Sequence, residues 1–138
     1  MKNTLLLLLL LSVLSSFAQS TEKLVIKFDQ EINNGNLLVY IYDKAEGFPK
    51  RKDLAYKTLV IKANHTQQIA IPDLPYGTYA IIIVHDKNGN QKMDRNWIGM
   101  PAEPYALSGN SPFRMGPPKF EDVKILFNIN NKVLSIKF

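Results

Sequence analysis

From Leu24 onward the apolar residues of this chain fall into short runs that alternate at a period of two, divided by turn-forming residues. Period two is the repeat of a half-buried strand, and no long stretch keeps the period of a helix. Leu24, Ile26 and Phe28 alternate with Val25 and Lys27, whereas Asn36–Tyr42 is apolar on both faces, as a strand inside a sandwich is. Further strands are predicted over 55–61, 67–71 and 78–84, the last of them central because Tyr79 to Val84 is apolar throughout. Pro72-Asp73-Leu74-Pro75-Tyr76-Gly77 is dense in turn formers and is expected to connect two strands. The segment 43–53, with Gly47, Phe48 and Pro49, reads as a surface loop with a short helical turn.

The C-terminus allows a register to be predicted. Asn130-Asn131 can adopt the two positive φ values of a two-residue hairpin turn. Phe127 then faces Leu134, Ile125 faces Ile136 and Val123 faces Phe138, all apolar on one face, while Lys124 and Lys137 point away. The count reaches about seven strands. The expected fold is therefore all-β, an antiparallel sandwich of immunoglobulin-like or transthyretin-like type with one long ordered loop. A small closed barrel is the alternative.

Lys2, the apolar run Leu5 to Leu11 with Val13 and Leu14, and the small residues Ser16-Phe17-Ala18 have the three-part order of a secretory signal. A spanning helix needs about 20 apolar residues, and this run is broken by Ser12, Ser15 and Ser16. Residues 1–18 are thus expected to be cleaved, leaving 19–138 as a single sandwich domain with no transmembrane span. The chain has no cysteine, so neither a lipid anchor nor a disulfide is available to it. Its formal charge of +5 comes from Lys and Arg scattered among acids, unlike the basic stripe of a nucleic-acid binder.

Nearly all the candidate chemistry lies between His85 and Val123, where clear periodicity is absent. A loop of that length in a small domain is usually functional or organised by something. Asp86, Asn88, Asn90 and Asp94 stand at places 1, 3, 5 and 9 of an EF-hand-like loop, and Lys92 would offer its backbone carbonyl at place 7. Alternating Asx oxygens suit a hard cation, and calcium is the expected cofactor. Gln91 replaces the usual Gly at place 6, and Trp97 replaces the bidentate Glu at place 12. A further carboxylate is therefore needed. Glu103 is the nearest in sequence, with Glu121 and Asp122 behind it, and affinity is expected at roughly 10⁻⁴ to 10⁻³ M. The competing reading is a tight turn at Lys87-Asn88-Gly89-Asn90 with Asp86 and Asp94 solvated.

The remainder of the loop, 86–116, is rich in proline and aromatic residues, and Phe120 follows it. Trp97, Tyr105 and Phe113 are candidates for a carbohydrate- or peptide-binding platform; the commoner role of such residues is to staple a loop to the sheet beneath. No catalytic residue is assigned. His65 and His85 make no zinc site, His85 and Asp86 point to opposite faces of a strand, and no serine has a nucleophile-elbow context. Asp94 with Glu103 is the one carboxylate pair that a hydrolase would use, and nothing in the sequence fixes their separation.

Leu74-Pro75-Tyr76-Gly77-Thr78-Tyr79-Ala80, then His85-Asp86-x-Asn88-Gly89-Asn90-x-Lys92-Met93-Asp94, then Gly99-x-Pro101-x-Glu103-x-Tyr105 and Gly116-Pro117-Pro118-x-Phe120-Glu121-Asp122 form an ordered series of motifs. In that order they resemble the secreted bacterial domains grouped as domain of unknown function 2141, over nearly all of 19–138. The resemblance implies an exported β domain of no established activity. The family's common pattern has Gly where Gln91 stands, and Ser-Asn-Asn where this chain has Ser108-Gly109-Asn110.

The leading functional expectation is a secreted or periplasmic, non-catalytic binding or structural module whose loop calcium organises, facing a cell-surface or carbohydrate partner. A metal-free binding module and a hydrolase are the alternatives. Expressed in an exporting host, the chain is expected to yield a mature protein whose N-terminal sequence starts at Gln19; recovery of a product that retains Met1 would overturn the signal assignment.

Overall fold

A computed structural model describes residues 21–109 and 116–138. The segment expected to be the signal peptide, and Phe113 of the proposed aromatic platform, lie outside the described residues. Among the described residues there are eight strands: β1 (Thr21–Ile32), β2 (Asn36–Tyr42), β3 (Lys57–Lys62), β4 (Thr66–Pro75), β5 (Gly77–Asp86), β6 (Tyr105–Leu107), β7 (Ile125–Phe127) and β8 (Val133–Ile136). They form a three-stranded sheet, β4-β1-β8, and a five-stranded sheet in which β3-β2-β5-β6 run in order and β7 pairs the other end of β5. The protein is an all-β sandwich. Helix is confined, among the described residues, to a 3₁₀ turn at Lys52–Leu54 and the short α1 (Phe120–Val123).

Alternation fixes which side chains meet between the sheets. Leu24 and Ile26 of β1 sit opposite Ile71 and Ile69 of β4, and Ile26 and Phe28 sit beside Leu134 and Ile136 of β8. Across the gap, Leu37, Val39 and Ile41 of β2 and Tyr79, Ile81 and Ile83 of β5 complete the core. The intervening residues of those two strands are buried as well. Leu38, Tyr40, Tyr42, Ala80, Ile82 and Val84 form a second cluster on the outer face of the larger sheet, closed by Phe120 and Val123 with Phe48, Ala55, Met93 and Leu107 against it. The two-sided apolar pattern of β2 and β5 thus has a direct cause, because a layer of loops covers the sheet's outer face. Burial of a side chain such as Phe120 or Val123 contributes about 1.5–3 kcal/mol.

The strands joined in sequence by Asn130-Asn131 do not form the predicted hairpin. The turn is one residue earlier, with Asn131 N donating to Asn128 O at 3.1 Å and the Asn128 side chain accepting from the N–H of Asn130 and Asn131. From it β7 runs to β5, with Ile125 opposite Tyr79, while β8 runs parallel to β1 in the other sheet. Phe127 and Ile136 are still both buried in the core between the sheets. Alternation specifies the face a strand buries, and two strands in facing sheets bury the same side of their pattern as two strands of one hairpin. Val123, expected in that hairpin, lies on α1.

A second adjustment concerns 72–77. β4 continues through Pro75 and β5 starts at Gly77, so Tyr76 alone passes the chain between sheets. Tyr79 Oη donates to Pro75 O at 2.8 Å across this crossing. Burial, with Tyr56 and Asp43 nearby, pushes its pKa up to about 12 from 10. The protonated phenol is the form the fold favours, so this stabilisation is complete below pH 10 and is lost between about pH 10 and 12. Alkaline spectrophotometric titration is expected to show a late phenol ionisation that Tyr79→Phe reduces, together with a flatter fall in stability over the same interval.

Candidate functional site

β5 delivers Asp86 to its last rung, opposite Asn36 of β2. Its carboxylate is fully buried and turns the chain that follows. Oδ1 accepts from Gly89 N at 2.8 Å and Asn90 N at 3.1 Å, and Oδ2 accepts from Gln91 N at 2.8 Å, with Asn36 Nδ2 at 3.4 Å. Charge-assisted bonds of this kind are about twice as strong as neutral ones. They hold Gly89 at φ +76° and Gln91 at φ +59°. The left-handed region is uncommon for a residue with a Cβ, and Gln91 occupies it at the place where a calcium loop turns on glycine.

The exposed side of the loop is built from Asx side chains. Asn88 Oδ1 accepts from Asn90 N at 3.1 Å and Asn90 Oδ1 from Lys92 N at 2.9 Å. Their amide nitrogens both reach Asp94, Asn88 Nδ2 to Oδ2 at 2.6 Å and Asn90 Nδ2 to Oδ1 at 2.8 Å. Glu103, buried, closes the base by accepting from Lys87 N at 2.9 Å and Asp94 N at 3.2 Å. His85 N donates to Pro104 O, which joins the loop's end to β5. Of the residues singled out from sequence, Asp86, Asn88, Asn90, Asp94 and Glu103 therefore share one hydrogen-bonded unit, with Lys92 attached through its backbone N–H. Asp86 is not solvated, contrary to the simple-turn reading. Glu121 is paired with Lys124 on the far side of β6 in the chain, as a residue of α1.

The aromatic candidates are separated. Trp97 is 95 % exposed and Tyr105, on β6, is 40 % exposed, with no ring contact between them among the described residues. Trp97 does not staple the loop. That role falls to Met93, Leu107 and Phe120, which pack on the outer face of the larger sheet. The two histidines have unrelated partners: His65 meets Glu31, and His85 Nε2 meets Asn34 O at 2.8 Å.

Three further residues, Gly35, Ser108 and Gly109, support the site. Gly35 has φ +80°, and a Cβ there would stand 2.5 Å from Asp86 O, so the β1–β2 turn presses directly on the start of the loop. The Asn33-Asn34-Gly35 run was the available signal, as a turn sequence. Ser108 is fully buried, its Oγ accepting from Ile81 N and donating to Val123 O, both at 2.7 Å. At Gly109, φ +75°, a Cβ would lie 2.9 Å from Val123 O, so glycine there lets α1 close on the strand.

Residues 28–136, from within β1 to the end of β8, match the bacterial family described as "Uncharacterized protein conserved in bacteria (DUF2141)". The chain belongs to the DUF2141 family. No curated protein and no solved structure matches it. The site of this DUF2141 chain accordingly rests on its own geometry. Removal of the Asp86 carboxylate leaves the N–H groups of Gly89 and Gln91 without an acceptor and that of Asn90 with Asn88 Oδ1 alone, each lost charged hydrogen bond being worth about 1.5–3 kcal/mol. Asp86→Ala is expected to destabilise by about 3 kcal/mol or more in denaturant unfolding, and Asp94→Ala by about 1 kcal/mol; equal effects would contradict this division of labour.

Proposed function

We propose that the protein is an exported, non-catalytic binding or structural module whose loop, residues 86–104, is a weak calcium site. The observation that carries the reading is the convergence of the Asn88, Asn90 and Asp94 side chains on the exposed side of the turn that Asp86 organises. The donor set fits a hard cation in part. Asn88 and Asn90 each use one lone pair of the amide oxygen on a backbone N–H and retain a second. Asp94 holds only side-chain amides, which a cation would replace. Each Asp86 oxygen already accepts two N–H groups, so Asp86 would reach a cation only by giving up one of them, while Lys92 would offer its carbonyl.

Glu103 has both oxygens on backbone donors and acts as a clamp on the two ends of the loop. Among the described residues no three His, Cys, Asp or Glu side chains stand in metal-holding geometry, so the site depends on the two asparagines. That composition argues for the weak extracellular range of affinity. Bound calcium would neutralise the loop's acids and tie Asp94 to Asp86.

The same bonding favours a structural over a hydrolytic role for the carboxylates. Asp86 and Glu103 spend their oxygens on backbone N–H groups that hold the loop's shape. Export is supported by the leader pattern of residues 1–18 alone; among the described residues no helix is long and apolar enough to cross a membrane.

Thermal unfolding with about 2 mM calcium and with chelator tests the site. At a Kd near 0.1 mM calcium adds about 1.8 kcal/mol, a rise of several degrees for a domain of this size. Asn88→Ala and Asp94→Ala, which keep the Asp86 wrap, are expected to abolish the rise. A parent protein with no calcium response would sink the reading.

A further inference from the structure

The segment 95–101 is a closed turn that presents apolar side chains outward. Asn96 N donates to Met100 O and Gly99 N to Asn96 O, both at 2.9 Å, while Asn96 Oδ1 accepts from the N–H of Ile98 and Met100. Arg95 and Pro101 form a bridge beneath, and Arg95 Nη1 donates to Gly99 O at 2.7 Å. Ala102 N donates to Asp94 O and joins the turn to the Asx loop. The backbone is held with no help from the three large apolar side chains it carries. Trp97 is 95 % exposed, and Ile98 and Met100 are each 56 % exposed. Scattered apolar exposure is ordinary, but three such residues within four positions, on a turn already ordered, form a patch.

The charge around this tip is sorted by depth. Asp86 and Glu103 are buried and Asp94 is half-buried, whereas Lys87, Lys92 and Arg95 are exposed. Between residues 87 and 102 every fully exposed charge is therefore positive, although the sequence interleaves both signs. We propose that Trp97, Ile98 and Met100, with the cations Lys87, Lys92 and Arg95, form a docking tip for an anionic phospholipid bilayer.

The size of the patch decides between a bilayer and a protein partner. A stable protein interface needs about 800 Å² from each side, and a four-residue turn does not supply it. An apolar tip of this size suits insertion by about 5–10 Å into the headgroup boundary, the level at which tryptophan is enriched. Surface cations add attraction to anionic lipid. The tip does not require a cation in the Asx loop, so it stands or falls separately from the calcium reading.

Trp97 is the one tryptophan of the chain, which makes its fluorescence a reporter of the tip. The whole chain is mixed, in chelator, with phosphatidylglycerol vesicles, with phosphatidylcholine vesicles, and with phosphatidylglycerol vesicles carrying acyl-chain bromines. A blue shift and bromine quenching on the anionic vesicles are expected, with binding about fivefold weaker for each of Lys87→Gln and Lys92→Gln. The double variant Ile98→Ser/Met100→Ser keeps the fluorophore and is expected to lose the quenching, with unchanged thermal unfolding as the folding control. Attachment through the apolar run Leu5 to Leu11 would instead ignore lipid charge and leave the double variant like the parent; that result overturns the proposal. So do an unshifted emission on anionic vesicles, and a concentration-dependent blue shift without vesicles, which would assign the tip to a second protein copy.

Discussion

The antiparallel pairing of β2 with β5, from Asn36 opposite Asp86 to Tyr42 opposite Ala80, is buried on both faces. One face packs on the three-stranded sheet in the usual way of a sandwich. The other needs a cover, because Leu38, Tyr40, Ile82 and Val84 would otherwise face water. The chain between β5 and β7 supplies much of it through Met93, Leu107, Phe120 and Val123, and the 43–55 segment supplies Phe48 and Ala55. Tyr42, Phe48 and Phe120 continue this layer as two edge-to-face contacts, with centroids 5.2 and 6.1 Å apart. The long connection therefore exists first to complete burial, and its functional features are carried on a segment already anchored.

That anchoring explains how the loop can hold three carboxylates. Among the described residues no Lys or Arg pairs with Asp86, Asp94 or Glu103. Backbone N–H groups and asparagine amides take the place of a counter-ion. Buried charge is tolerated only when fully hydrogen-bonded, and a turn around Asp86 supplies the donors that a straight strand lacks. With the acids turned inward the lysines and Arg95 remain outside, and the tip beyond them has its own closed hydrogen-bond set. One strand end thereby positions the acidic base and the apolar, cationic tip of the same loop.

Much of this was legible from residue order. The exact bounds of β2, the centrality of β5, the loop over 43–53 and the grouping of Asp86, Asn88, Asn90 and Asp94 follow from period and spacing. What escaped was partnership. Phe127 and Ile136 have the alternation of one hairpin yet belong to facing sheets. Trp97, a residue that ordinarily staples a loop, stands in solvent, because the covering positions are filled by Met93, Leu107 and Phe120. Ser108 looks like any loop serine until the chain returns it against Ile81 and Val123.

The sequence by itself determined which residues of the main strands are apolar on which face, and which oxygens recur at cation-loop spacing, since both are set by local periodicity and side-chain chemistry. Only the tertiary structure decided which strand pairs with which, that Glu103 closes the loop instead of facing its centre, and that the loop's acids are inside while its cations are outside. Those outcomes depend on groups far apart in the chain: Gly35 pressing on Asp86, Pro104 bonding to His85, β8 reaching β1. Local pattern constrains the face each side chain shows; competition among distant surfaces for burial and for hydrogen-bond donors decides what that face meets.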